Sequence, residues 1–169
     1  MRRYSPYYKD ITDEFLEKLI PYGKEVSLAK LIIKNGKEYY HNNRNKFNFN
    51  NNEVYVALWF RRTIGGKIEL RFEIGEDRKI SSSDYLIDGE EWDLKEISGN
   101  SPSSFLHSTQ KKRVQSQNYI FDLSNSSMSE SVIIENLRRL FKFKDWIGII
   151  VLKKNNDLLG IYEKVKKKK

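Results

Sequence analysis

The segment Ser83–Gly99, SDYLIDGEEWDLKEISG, constrains the fold more than any other because it predicts a β-hairpin. Its Asp88-Gly89 dipeptide stands between two apolar runs. A two-residue type I′ turn needs positive φ at both central positions, and Asp-Gly is one of the few pairs that adopt it readily. We therefore predict two antiparallel strands, Tyr85 to Ile87 and Trp92 to Ile97.

The second predicted strand carries an acid and a base on one face, because side chains alternate along a strand and Asp93 and Lys95 are two residues apart. Asp84 at the hairpin entrance completes a D-x8-D-x-K pattern, a spacing similar to that of restriction-endonuclease-like nucleases. Two carboxylates and a lysine can hold a divalent ion and orient water. A metal-free ribonuclease instead needs an acid, a base and cations. An exposed cross-strand ion pair with no catalytic role is the structural alternative.

The next segment, SPSSFLHSTQKKRVQSQN, predicts a helix from about Pro102 to Gln117, with Ser101 as N-cap and proline at the first helical position. Few of its residues are apolar, so much of its surface faces solvent or a ligand. Its polar side chains that could join Asp93 and Lys95 are His107, Lys111, Lys112, Arg113, Gln115 and Gln117.

The remaining pattern predicts an α+β fold, with a central, mostly antiparallel sheet and flanking helices. Caps, turn residues and apolar periodicity define the other elements. They are a helix from Thr12 to Pro21, a hairpin at Asn35-Gly36, a helix from Glu53 to Ile64 stopped by Gly65, a strand from Lys67 to Ile74, a short strand YIFDL, a helix capped by Ser129, and two strands around Lys154 to Asp157.

An asparagine-rich segment, HNNRNKFNFNNN, predicts a loop and a domain boundary near Asn52. Residues 1–52 would form an N-terminal extension of short helix, hairpin and loop. Residues 53–169 would form the main domain with its basic C-terminal tail. The formal charge of +8 points to a polyanion such as nucleic acid, or to an anionic membrane surface. Five of these charges lie on tail lysines, which leaves about +3 for the rest of the chain.

The inventory of reactive side chains excludes several chemistries. The chain has no cysteine, which excludes thiolate zinc sites and a cysteine nucleophile. His41 and His107 are its only histidines, so a histidine-rich metal centre is not expected. No apolar run approaches the roughly 18 residues of a membrane span, and no membrane partner is expected. Carboxylates, lysine, arginine and hydroxyls remain.

Four ordered blocks, GGKIEL, SDYLIDGEEWDLKEISG, KKRVQSQNYIFDLS and WIGIIVLKKNNDLLGIY, resemble the C-terminal tRNA-nuclease domain of contact-dependent inhibition toxins of the CdiA type. That domain also occurs at the ends of phage minor head proteins. The resemblance covers roughly Glu53 to Tyr162. It implies a barnase/EndoU/colicin/RelE-like fold and an endoribonuclease that cleaves tRNA through the 2′-OH without metal or cofactor. It also implies a cognate immunity protein, and action in the bacterial cytoplasm after delivery from a larger toxin or phage carrier.

The resemblance also implies roles for particular residues. Asp84 stands at the family's proline-aspartate position, and Asp93 and Lys95 stand at its acid-x-lysine. The expected catalytic residues are Lys95, Asp93, Asp84, His107 and Gln115, and the expected substrate-binding residues are Ser104, Lys111, Lys112, Arg113 and Gln117. Two alternatives stay open. One is a metal-dependent PD-(D/E)xK-like deoxyribonuclease, and the other is a non-catalytic basic RNA-binding or phage-associated protein.

Overall fold

The computed structural model describes seven stretches of chain, which are residues 5–19, 24–28, 31–34, 37–40, 51–70, 83–109 and 116–166. These stretches contain four helices and ten strands. In chain order they are β1 Tyr8–Asp10, α1 Thr12–Leu19, β2 Lys24–Leu28, β3 Leu31–Lys34, β4 Lys37–Tyr40, α2 Asn51–Thr63, β5 Gly66–Leu70, β6 Tyr85–Ile87, β7 Glu90–Glu96, α3 Ser104–Ser108, β8 Asn118–Asp122, α4 Glu130–Phe143, β9 Ile149–Lys154 and β10 Asp157–Lys164.

Eight strands form one mixed sheet in the order β1-β10-β9-β8-β7-β6-β5-β2, while β3 and β4 pair as a separate hairpin. Within the described sheet, four neighbouring pairs are antiparallel and three are parallel. The structure combines helices and strands, as the predicted class requires, although β1 and β2 were not predicted. The expectation of a mostly antiparallel sheet is wrong at the centre, where β7, β8 and β9 run parallel. Parallel neighbours need a crossover connection, and α3 and α4 lie in the two connections here.

The predicted hairpin at Asp88-Gly89 is confirmed, with Tyr85 of β6 opposite Trp92 of β7. Asp88 and Gly89 have φ of +49° and +83°. A Cβ on Gly89 would meet no atom within 4 Å, so the backbone conformation rather than lack of space favours glycine. The Asp88 carboxylate also accepts a hydrogen bond of 2.9 Å from the backbone N–H of Lys67, which ties the turn to β5.

Two apolar clusters cover opposite faces of the sheet, one under α1 and α2 and the other under α3 and α4. The central strand β8 is buried along its whole length, with Ile120 in the first cluster and Phe121 in the second. Phe105 of α3 stacks on Phe121, their ring centroids being 4.5 Å apart. Phe15 of α1 meets Trp92 of β7 edge to face at 6.1 Å. The core therefore joins α1 to the hairpin.

The N-terminal elements also contribute strands to the sheet, since β1 pairs with β10 and β2 pairs with β5. The boundary near Asn52 stays a prediction; in the structure this residue lies in the first turn of α2. None of the helices in the described ranges has the length and apolar composition that crossing a membrane requires.

Local signals predict the ends of two helices well. The residue Gly65 that follows α2 has φ of +102°, as expected of a glycine at C′. The side chain of Ser129 accepts a hydrogen bond from the backbone N–H of Val132 at the start of α4, which confirms the cap. The strand predicted from Lys67 to Ile74 is described only as far as Leu70.

The helix predicted from Pro102 to Gln117 is wrong in extent, because α3 ends after five residues and its N-cap is Ser103 rather than Ser101. The next residue, Thr109, is buried, and its hydroxyl donates to the backbone carbonyl of Phe105 at 3.2 Å. Such side-chain bonds compete with the helical pattern. Residues 110–115 lie outside the described part, and residues 116 and 117 precede β8 without helical structure.

Candidate functional site

Asp84, Asp93 and Lys95 form one charge cluster where β7 extends past the start of β6. The hairpin register places Tyr85 opposite Trp92, so Asp84 lies across from Asp93. The Lys95 Nζ lies 2.8 Å from Asp93 Oδ2, and the side chains of Asp84 and Asp93 are hydrogen-bonded. Asp84 Oδ2 also accepts a bond of 2.7 Å from the backbone N–H of Leu94. The structure thus brings together the three residues of the D-x8-D-x-K pattern.

Burial determines the protonation of this cluster. Burial, followed by the hydrogen bond and the negative charge of Asp93, raises the pKa of Asp84 to about 8, although the bond from Leu94 lowers it in part. At neutral pH Asp84 is therefore mainly protonated, and its proton bridges to Asp93. Burial and the charge of Asp93 also raise the pKa of Tyr119, the β8 residue beside Asp93.

Folding stability should depend on pH through Asp84. Its pKa in the folded chain, about 8, lies above its ordinary value of 3.8, so between these values the native state holds a proton that the unfolded state has lost. The stability that Asp84 contributes is therefore fully present below its ordinary pKa of 3.8. It is lost as the pH rises through the pKa of the folded chain, about 8. Asp84→Asn removes this dependence. Urea denaturation in EDTA from about pH 5 to about pH 8.5 should show the advantage of the variant growing with pH; parallel stability curves would contradict the assignment.

A second polar group lies on the other face of the same strand end. The parallel register aligns Glu96, Asp122 and Lys153 across β7, β8 and β9. Lys153 is 1% exposed, and its Nζ lies 3.5 Å from Asp122 Oδ1. The same amine lies 5.3 Å and 5.5 Å from the ring centroids of Tyr55 and Trp59 on α2. Tyr55, Glu96, Asp122 and Lys153 border a cleft of about 530 Å³.

The N-terminal turn of α2 connects the cluster and the cleft. The side-chain amide of Asn52 donates to Glu96 and, at 3.3 Å, to Asp122 Oδ2. The charge of the next residue, Glu53, contributes to the raised pKa of Asp84. Sequence reasoning missed Asn52 and Glu53 as site residues, together with Asp122 and Lys153. The signal that could have revealed Asp122 and Lys153 is a charged residue at the end of each buried apolar run, YIFD and IIVLK.

Within the described part of the chain, no hydrogen bond or ion pair is seen between the charge cluster and Ser104 or His107 of α3. The hydroxyl of Ser104 donates to the backbone carbonyl of Ser101 at 3.1 Å. His107 is exposed. Asn136 of α4 fixes the helix by accepting a bond of 3.0 Å from the backbone N–H of Phe105. Contact of Ser104 or His107 with a substrate stays a prediction.

The other predicted contacts come from the segment that leads into β8. Gln117 is exposed, and its backbone carbonyl accepts a bond of 2.8 Å from Gly148. The remaining residues of this set lie outside the described part of the chain; they are Lys111, Lys112, Arg113 and Gln115.

Part of the chain is similar to a known protein family. Residues 81–158 match the family described as "Contact-dependent growth inhibition CdiA C-terminal domain". No curated protein sequence matches the chain. Among solved structures, it is similar to a "CdiA-CT/CdiI toxin and immunity complex from Burkholderia pseudomallei" with 12% identity and a TM-score of 0.44, over 79% of this chain and 97% of that one. The segment that matches the CdiA C-terminal domain family contains the whole charge cluster and, from the cleft, Glu96, Asp122 and Lys153.

Proposed function

We propose that this chain is a toxin-type nuclease that cleaves RNA, with tRNA as its substrate, and that Asp84, Asp93 and Lys95 form its reaction centre. The observation that carries the proposal is the convergence of these three side chains inside the segment that matches the CdiA C-terminal toxin domain. A phosphodiester needs charge compensation as it reacts, and Lys95 supplies an ammonium group that Asp93 holds in place.

The two adjacent carboxylates fit a divalent cation. Asp84 holds a proton at neutral pH, and a cation could take its place because it, too, relieves repulsion between two acids. No group of three acidic or histidine side chains suited to a metal ion occurs among the described residues, yet magnesium is commonly held by one or two carboxylates plus substrate phosphate. When bound, such an ion would polarise the phosphate and lower the pKa of water. Lys95 would then orient the attacking water or stabilise the charge developing on the phosphate oxygens.

A metal-free reaction is the second candidate, and the raised pKa of Asp84 favours it. Asp84, protonated at neutral pH, would donate its proton to the leaving 5′-oxygen. Asp93 would accept the proton of the attacking 2′-OH, and Lys95 would compensate the negative charge on phosphorus. This is the reaction that the sequence resemblance implies. Both routes use these same three residues. We prefer the divalent-cation route because their D-x8-D-x-K spacing is similar to that of restriction-endonuclease-like nucleases, and two carboxylates with a lysine can hold a divalent ion and orient water.

Such a nuclease would need a neutralising partner in the cell that makes it, because that cell's own tRNA is a substrate. We therefore propose that a cognate immunity protein binds this chain. The proposal includes delivery to the cytoplasm of a target bacterium from a larger toxin or phage carrier.

Incubating the purified chain with total tRNA tests the proposal. We expect cleavage with magnesium, its loss in excess EDTA, and no cleavage by Asp84→Asn. Cleavage that persists in EDTA and leaves 2′,3′-cyclic phosphate ends would select the metal-free route. Duplex DNA serves as the competing substrate. Nicking of DNA with intact tRNA would identify a deoxyribonuclease, and no cleavage of either substrate would favour the non-catalytic RNA-binding alternative.

A further inference from the structure

The floor of the cleft is a buried ion pair, Asp122 and Lys153, whose acid is held by several hydrogen bonds. Asp122 accepts from the backbone N–H and the hydroxyl of Ser124, at 3.0 Å and 2.5 Å, and also from Asn52. Lys153 lies beside it under the rings of Tyr55 and Trp59. These bonds use most of the acceptor capacity of Asp122, so the buried pair shapes the cleft rather than offering a free charge to a ligand.

The rim of the cleft offers an aromatic ring. Tyr55 is 43% exposed, although its hydroxyl donates to Asn156 Oδ1 at 2.5 Å and its ring is held over Lys153. Leu58, one turn further along α2, is 39% exposed and extends this apolar surface. A fixed, accessible ring at the edge of a cleft is a stacking surface for a planar ligand, and base stacking on such a ring contributes about 1–3 kcal/mol.

The rim also offers a hydrogen-bond acceptor. Glu96 is exposed at the β7 side of the cleft, and one of its carboxylate oxygens accepts from Asn52. An ionised carboxylate has about four acceptor sites and no donor, so Glu96 can accept further bonds from a ligand. Its negative charge disfavours a phosphate group and favours a ligand with N–H donors.

The cleft lies next to the reaction centre. Lys95 and Glu96 are consecutive residues of β7, so their side chains leave the strand on opposite faces. Pairing of β7 with the described part of β6 ends at Trp92, before both residues. An RNA strand that crosses this end of β7 could put a phosphate at Lys95 and a neighbouring base at Glu96.

We propose that the cleft bordered by Tyr55, Glu96 and Asn156 binds a nucleobase of the RNA substrate and prefers bases with an exocyclic amino group. The proposal rests on the proposed nuclease function and deepens it to a sequence preference. Tyr55 stacks on the base, and Glu96 accepts from its amino group. Cytosine, adenine and guanine carry this group, whereas uracil does not. The volume of about 530 Å³ lies within the usual range for small-ligand sites, roughly 300–1,000 Å³.

Binding of labelled oligocytidine and oligouridine to the Lys95→Met chain, in which cleavage should be slow, tests this preference. The two RNAs have rings of equal size and equal backbone charge. They differ on one edge of the base, because cytosine has an amino donor at position 4 and an acceptor at N3, whereas uracil has an acceptor at position 4 and an N–H donor at N3. At one fixed salt concentration in EDTA, fluorescence anisotropy should show oligocytidine bound about tenfold more tightly. Glu96→Leu should bring the ratio near one. Tyr55→Leu should weaken binding of both RNAs about fivefold or more and leave their ratio unchanged.

Glu130→Gln is the matched control, because it removes an exposed carboxylate from the first turn of α4, on the opposite face of the sheet. It should leave the ratio at about tenfold. Equal affinity for the two RNAs, or a preference that survives Glu96→Leu, overturns the base site. If wild-type chain cleaves RNA without this preference, the nuclease stands and the base site fails. If it never cleaves RNA but keeps a preference that depends on Glu96, the base site stands and the nuclease fails.

Discussion

Replacing Lys95 with methionine should lower the rate of tRNA cleavage by about 10²–10³-fold, the usual effect of removing one group that stabilises transition-state charge. Methionine keeps the aliphatic stem of a side chain that is only 14% exposed, and it removes the ammonium group 2.8 Å from Asp93. Single-turnover cleavage of end-labelled tRNA measures the chemical step separately from product release. Thermal unfolding of the same preparation shows whether the chain is folded.

Lys9→Met is the matched control for this experiment. Lys9 forms an ion pair of 3.3 Å with Glu163 at the exposed β1 edge of the sheet, and its side chain is 55% exposed. The control loses the same charge, so it reports any general loss of attraction between the chain and RNA. Equal activity of the Lys95 and Lys9 variants would remove Lys95 from the reaction centre. A selective loss in the Lys95 variant would support its role whichever route, with or without metal, proves correct.

The fold was predictable where a single short segment determines the geometry. The turn at Asp88-Gly89 sets the register of its own hairpin, because the loop has two residues and both have positive φ. The same holds for α4, where the cap at Ser129 precedes a clear amphipathic stripe. Each of these signals lies within about a dozen residues of chain, so no long-range packing had to be known.

The parallel centre of the sheet was not predictable in this way. The run YIFD is buried on both faces, and such a run shows no alternation that would distinguish a parallel from an antiparallel neighbour. The length of α3 was hidden for a related reason. Helical propensity allowed a long helix, and the hydrogen bonds of Thr109 and the packing of Phe105 on Phe121 depend on the assembled core.

The charge cluster and the cleft also differ in how far apart in the sequence their residues lie. Asp84, Asp93 and Lys95 converge through one hairpin, so their pattern is visible in a 12-residue segment. Asp122 and Lys153 meet only because β8 and β9 pair in parallel across 31 residues of chain. A single sequence gives no means of registering those strands against each other. The cleft therefore became visible only in the structure.

Asp122→Asn should lower the free energy of unfolding by roughly 3 kcal/mol, which makes it the most destabilising single change considered. Lys153 is 1% exposed, and it would lose its counter-charge while its ammonium group remained in the core. Lys153→Met should cost less, because Asp122 would keep its bonds from Ser124 and Asn52. Urea denaturation with a common m-value measures both changes.

The double variant Asp122→Asn/Lys153→Met distinguishes a charge effect from loss of packing. If the cost of Asp122→Asn comes from an uncompensated buried ammonium group, removing that group should restore stability to within about 1 kcal/mol of wild type. The coupling energy in this double-mutant cycle would then be large. Additive losses would show instead that each side chain acts through its own contacts. In that case the floor of the cleft would be held by the bonds of Ser124 and Asn52 and by the rings above Lys153, with the ion pair contributing little.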